Sequence, residues 1–135
     1  MSFDQTVTTQ AKYAALAYLA EGTLKMALYT ALANINADTL VYTTDNEVVG
    51  TGYTAGGEVL TGVTVSKSGT TAYLDFADVV WDPAAFTARG ALIYNTSLGN
   101  MAVAVLDFGA DKTATTVFTV QTPANSADAA LIRII

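Results

Sequence analysis

Apolar and polar positions along this chain follow two different periods, and the change from one to the other falls at Gly22. Upstream, residues 8–21 read TTQAKYAALAYLAE, which places Tyr13, Leu16, Ala17 and Ala20 on one face at helical spacing. Thr8 or Thr9 can cap the start of such a helix and Gly22 can stop it. Its apolar face must rest either on this chain's own sheet or on a neighbouring subunit.

Downstream the period is two. Leu24, Met26 and Leu28 alternate with Lys25, Ala27 and Tyr29, the pattern of a half-buried strand. The pattern fades over residues 30–45, where Asn34, Asn36 and Asp38 predict a loop with one short helical turn. Residues 50–57 (GTGYTAGG) predict a tight turn that brings Tyr53 to a surface. Short strands follow at residues 59–65, 71–76 and 79–81, the first two joined by a turn at residues 67–70 and the third stopped at Asp82-Pro83. Residues 89–95 and 101–108 flank a turn and read as a hairpin, and residues 117–120 and 130–134 supply the last strands. The final run, Leu131-Ile132-Arg133-Ile134-Ile135, has so little polar relief that it is expected in the centre of a sheet or under a partner.

Strands at this spacing, joined by turns and not by helices, predict a mainly β fold: an antiparallel, jelly-roll-like β-sandwich with one short N-terminal α-helix. The chain reads as a single domain over residues 1–135. Residues 1–22 form an arm and helix, and residues 23–135 form the sandwich.

Composition narrows what such a domain does. Apolar residues make up 52% of the chain and charged residues only 13%, against about 25% charged in an ordinary soluble domain. A surface of small, neutral, Thr-rich character loses little hydration when it is covered, which suits permanent contact with neighbours. The net charge of −6 and the scattering of Lys12, Lys25, Lys67, Arg89, Lys112 and Arg133 argue against a nucleic-acid or an anionic membrane partner. The longest apolar stretch, residues 14–20, is too short to span a bilayer. Asp4 ahead of it, and Lys12 as the single basic residue, match a secretory leader poorly.

Candidate chemistry is thin. The chain has no Cys and no His, so thiol nucleophiles, thiolate metal sites and the commonest neutral-pH base are missing. The glycine-rich stretch leads into Glu58 and a strand instead of a helix, and no cation is near, which removes a phosphate cradle. Asp75, Asp78 and Asp82 form one carboxylate group and Asp38, Asp45 and Glu47 another, but neither has calcium-loop spacing. Asp107-Phe108-Gly109 spells a kinase triplet without the rest of the kinase set. Ser66 beside Lys67 is the nearest approach to a nucleophile and base, at a hairpin tip unsuited to it. Tyr53, Tyr73, Phe76, Trp81, Phe86 and Tyr94 are candidates for a sugar platform, though strand alternation assigns most of them to packing. No catalytic, cofactor-binding or metal-ligating residue is assigned, and the chain is not expected to be an enzyme.

One resemblance adds to this. Leu28-Tyr29-Thr30-Ala31-Leu32, the tract ending Thr51-Gly52-Tyr53 and Gly56-Gly57, residues 75–81 (DFADVVW), residues 87–95 (TARGALIYN) and Leu106-Asp107-Phe108-Gly109 together resemble small virion proteins of tailed bacteriophages. The resemblance is one of pattern over nearly the whole chain, and it carries no functional site. It implies a short helix ahead of a β-sandwich and a capsid decoration (cement) role, with a tail, neck or fibre position as the alternative; a carbohydrate-binding module using the aromatics is a further reading of a different class. The partners then expected are the chain itself, as a trimer or similar ring, and the major capsid protein. The implied location is the virion, assembled in the host cytoplasm. The helix or residues 2–7 would reach the neighbour.

Overall fold

The computed structural model describes residue 3 and residues 5–135. The helix α1 (Thr9–Leu19) starts where capping chemistry places it: Thr8 is extended, and its hydroxyl accepts the Ala11 N–H at 3.2 Å. Its end is fastened from another element. The side-chain amide of Asn95, fully buried, donates to the carbonyl oxygens of Leu19 at 2.9 Å and Glu21 at 2.6 Å. Carbonyls at and just past the end of a helix have no partner within it, and Asn95 supplies a donor to both.

Leu16 is the buried residue of α1, with Tyr13, Leu19 and Ala20 packed partly against the same core. The helix lies on this chain's own sheet. Lys12 Nζ donates to the Thr70 carbonyl at 2.8 Å, and Lys67 Nζ sits 5.4 Å from the centre of the Tyr13 ring. Its apolar face is therefore covered internally.

The strands are β1 (Leu24–Tyr29), β2 (Glu58–Val59), β3 (Thr64–Ser68), β4 (Thr71–Asp75), β5 (Val79–Trp81), β6 (Phe86–Asn95), β7 (Met101–Ala114), β8 (Phe118–Val120) and β9 (Ile132–Ile134). They form three antiparallel sheets, in the orders β2-β1-β6-β7, β3-β4-β9 and β5-β8. The fold is mainly β with one α-helix among the described residues, in an open, sandwich-like arrangement. Leu24, Met26, Leu28 and Ile93 from the first sheet meet Leu74, Phe76, Trp81, Phe118 and Leu16 in one core.

Three expectations change. The strand expected at residues 59–65 is two strands, because Gly62 at φ +64° turns the chain between β2 and β3. The strand β1 is not half-buried but buried on both faces, since Ala27 and Tyr29 join Leu92 and Tyr94 in a second, smaller core. The last strand, β9, is not central. It pairs with β4 alone and forms a sheet edge, with Ile132 and Ile134 turned inward and Ile135 exposed.

The strand β7 also runs past Phe108 to Ala114, and it is interrupted twice. Val103 is an extra residue against Ile93 and Tyr94, and residues 108–111 together oppose Arg89 alone. Bulges of this kind bend an edge strand and break its pairing register.

Candidate interaction surface

The second core exists because residues 30–46 cross the outer face of the first sheet. Ala33, Ile35 and Tyr42 from this segment pack on Tyr29, Leu92 and Tyr94, and the Tyr42 and Tyr94 rings stack with centroids 4.6 Å apart. Backbone bonds tie down both sides of the segment. The Thr30 N–H donates to the Asn46 carbonyl at 3.0 Å, Val48 N–H to Leu28 at 2.9 Å, and Tyr42 N–H to Asn100 at 2.9 Å.

A buried carboxylate fixes the rest. Glu47 is 8% exposed and has no cation within ion-pairing distance among the described residues. Three donors compensate it. The Tyr42 hydroxyl donates to Oε1 at 2.6 Å, the Gly56 N–H donates to Oε2 at 2.8 Å, and the Tyr53 hydroxyl donates to Oε2 over a short contact. Hydrogen bonds to a charged acceptor are about twice as strong as neutral ones, which offsets the desolvation of the carboxylate. The Tyr94 hydroxyl donates to the Gly56 carbonyl at 2.7 Å, and the Tyr29 hydroxyl to the Thr43 carbonyl at 2.6 Å.

The four phenols respond to this environment in one direction. Burial first, and the negative charge of Glu47 beside it, push Tyr29, Tyr42, Tyr53 and Tyr94 above the ordinary phenol value of 10.0. They are held as donors at neutral pH. The cluster is a fastening that locks residues 42–57 to the sheet.

What the fastening presents is apolar. Residues 30–49, which run from the covering segment through Glu47, turn Leu32 (81% exposed), Leu40, Val41 and Val49 (94% exposed) outward. They contain Asp38, Asp45 and Glu47 but no Lys or Arg. A hollow of about 330 Å³ lies beside them, between residues 36–39 and residues 102–105 of β7.

The residues singled out in the sequence are dispersed. Tyr53 points inward, not to a surface, because its hydroxyl is needed by Glu47 and by the Leu28 N–H. Phe76, Trp81, Phe86 and Tyr94 are buried as packing residues. Tyr73 lies on the outer face of β4, opposite Ser66 and Arg133. Asp78 accepts the Thr122 N–H at 2.8 Å and the Thr122 hydroxyl at 3.0 Å, a contact that ties the start of β5 to the end of β8 and not the local turn bond its position in the sequence suggests. Asp107 pairs with Arg89 at 3.1 Å. Ser66 and Lys67 face opposite sides of β3, and Lys67 binds the Gln10 side chain. No group of three or more acidic side chains among the described residues could hold a metal ion, and no helix is long and apolar enough to cross a membrane.

Sequence reasoning missed Glu47 as a structural centre and Asn95 as a helix fastener. Glu47 had one readable signal, a lone carboxylate leading into Val48-Val49 with Tyr42 and Tyr53 close on either side. Asn95 had none, because its partners lie more than seventy residues away. No family model matches the chain, and neither a curated protein nor a solved structure matches it.

Proposed function

We propose that this chain is a structural component of a tailed-phage virion, a decoration protein that binds the outside of the assembled head as a homo-oligomer. One observation carries the reading most: a loop locked by a buried carboxylate holds Leu32, Leu40, Val41 and Val49 out to solvent on a weakly charged surface. Evolving such a loop in a free monomer would give a sticky surface with no use. Seated on a shell, the same side chains lose water and gain contacts with little ordering of the loop.

Binding across neighbouring capsid subunits stabilises the assembled state by mass action, since the ligand favours only the form that displays the whole site. The acidic character suits an outer face better than a lumen filled with phosphates. The phage resemblance supplies the virion context, and the low charge supplies the preference for assembly.

Purified chain added to expanded shells that lack it tests the reading directly. Saturable binding at a fixed ratio to the shell subunit, with a raised shell melting temperature, is the expected result. Binding confined to the tail or neck, seen by imaging labelled particles, would move the protein to that address. Absence of binding to any particle component would overturn the virion role.

A further inference from the structure

The edges of two sheets face a common cleft. The strand β7 pairs with β6 on one side, and β8 pairs with β5 on one side. A cleft of about 400 Å³ is lined by residues 112–114 of β7 and residues 117–121 around β8, together with Phe108. These boundaries are consecutive residues, whose side chains alternate between faces. The cleft is thus bordered by backbone edges and not by one side-chain face. Two of the lining residues are aromatic, Phe108 and Phe118, with ring centres 6.1 Å apart, and Phe86 packs 5.2 Å from Phe118. Val117 is half exposed at the rim, and Lys112 stands there without a carboxylate partner among the described residues.

The same chain carries a segment shaped for such a place. Phe3 is 86% exposed and Val7 63% exposed, and Gln5 and Thr6 are exposed with them. Among the described arm residues the Thr6 hydroxyl donates within the arm, to the Val7 carbonyl. In an extended chain Phe3, Gln5 and Val7 share one face, and Asp4 and Thr6 the other.

We propose that the cleft between β7 and β8 receives the N-terminal arm of a second copy of this chain, the stretch that carries Phe3 and residues 5–7, as an added strand. Unpaired edges on both sides supply backbone hydrogen bonds, and the aromatic lining takes alternate side chains, the division of labour seen wherever a strand is added to a sheet. Phe3 and Val7 turn onto Phe108 and Phe118. The arm leaves one copy and enters the next, a head-to-tail contact that closes into a ring when the rotation permits. The inference deepens the self-association in the reading above, without depending on where in a virion the protein sits.

Two measurements on purified protein alone test it, so failure here is separable from failure of shell binding. Sedimentation of the full chain is expected to show an oligomer that disappears on deletion of residues 1–7, with the circular dichroism spectrum retained. Because the chain has no cysteine, Phe3→Cys and Val117→Cys variants can be mixed and oxidised. A mixed disulfide between them is expected, and a mixture of Phe3→Cys with Val49→Cys should give none. A truncated chain that sediments like the full one, or equal cross-linking at positions 117 and 49, would overturn the proposal. So would a full chain that is monomeric at every concentration.

Discussion

The Tyr53 hydroxyl accepts the backbone N–H of Leu28 at 3.0 Å. A side chain here does the work of a neighbouring strand, at the point where β1 loses its partner between Val48 and β2. The same hydroxyl donates a hydrogen bond to Glu47. One atom therefore joins the sheet ladder to the carboxylate that holds the loop.

Replacing Tyr53 by Phe removes an acceptor and a donor at once. The Leu28 N–H is left without a partner in a site closed to water, which is worth about 1–3 kcal/mol. Urea unfolding of Tyr53→Phe should show a lower midpoint with an unchanged slope. Glu47→Ala strands Tyr42, Tyr53 and Gly56 together and should lose about 3 kcal/mol or more by the same reasoning.

Stability should fall in alkali. The folded state raises the pKa of Tyr29, Tyr42, Tyr53 and Tyr94, so above the ordinary value the unfolded chain binds fewer protons than the folded one. Their contribution is complete below about pH 10 and declines as the pH climbs above it. Urea midpoints measured from about pH 8 to about pH 11 should bend downward in the upper half of that range, and Tyr42→Phe should soften the bend.

Two glycines separate backbone strain from crowding. Gly57 has φ +80°, and a Cβ there would stand 1.7 Å from the Met26 carbonyl oxygen. Gly69 has φ +59° with nothing within 4 Å of that position. Gly69→Ala should lose about 1–2 kcal/mol from the left-handed backbone alone. Gly57→Ala should fail to reach a folded state, which soluble expression and thermal melting will show.

Substituting Val49 by Asp changes a side chain that touches little of its own fold. Stability is expected to stay within about 0.5 kcal/mol. Binding to shells should fall sharply for Val49→Asp, and for Leu40→Asp, in the same particle assay. Unchanged binding in both would remove the loop from the interface.

The local rules were legible wherever neighbours in sequence are neighbours in space. The helix over residues 8–21 was readable from its spacing and caps, and it is observed as Thr9–Leu19 with Thr8 capping it. The turn at Gly69-Thr70, the strand at Val79–Trp81 and the hairpin around Thr96–Leu98 follow from alternation and turn residues in the same way. The losses lie where distant segments decide. Nothing in Leu24–Tyr29 says that residues 33–42 will cover its second face, so β1 read as half-buried. Gly109, Asp111 and Lys112 made β7 look finished at Phe108, because a bulge puts polar residues where alternation expects apolar ones. The final strand read as central, or covered by a partner, from its composition alone. Its edge position is set by a pairing with β4 some sixty residues earlier.

Trp81 is the single tryptophan of the chain, 1% exposed, and its ring lies 6.3 Å from Tyr53 and 6.0 Å from Phe118. The protein thus carries one intrinsic fluorophore, seated between the phenol that holds the loop and the phenylalanine beneath the β7–β8 cleft. Its emission should start blue and quenched or enhanced by those two neighbours, then move red as either gives way. Light from one residue reports on both ends of the molecule's social machinery, and separating the two signals needs only Tyr53→Phe on one side and arm deletion on the other.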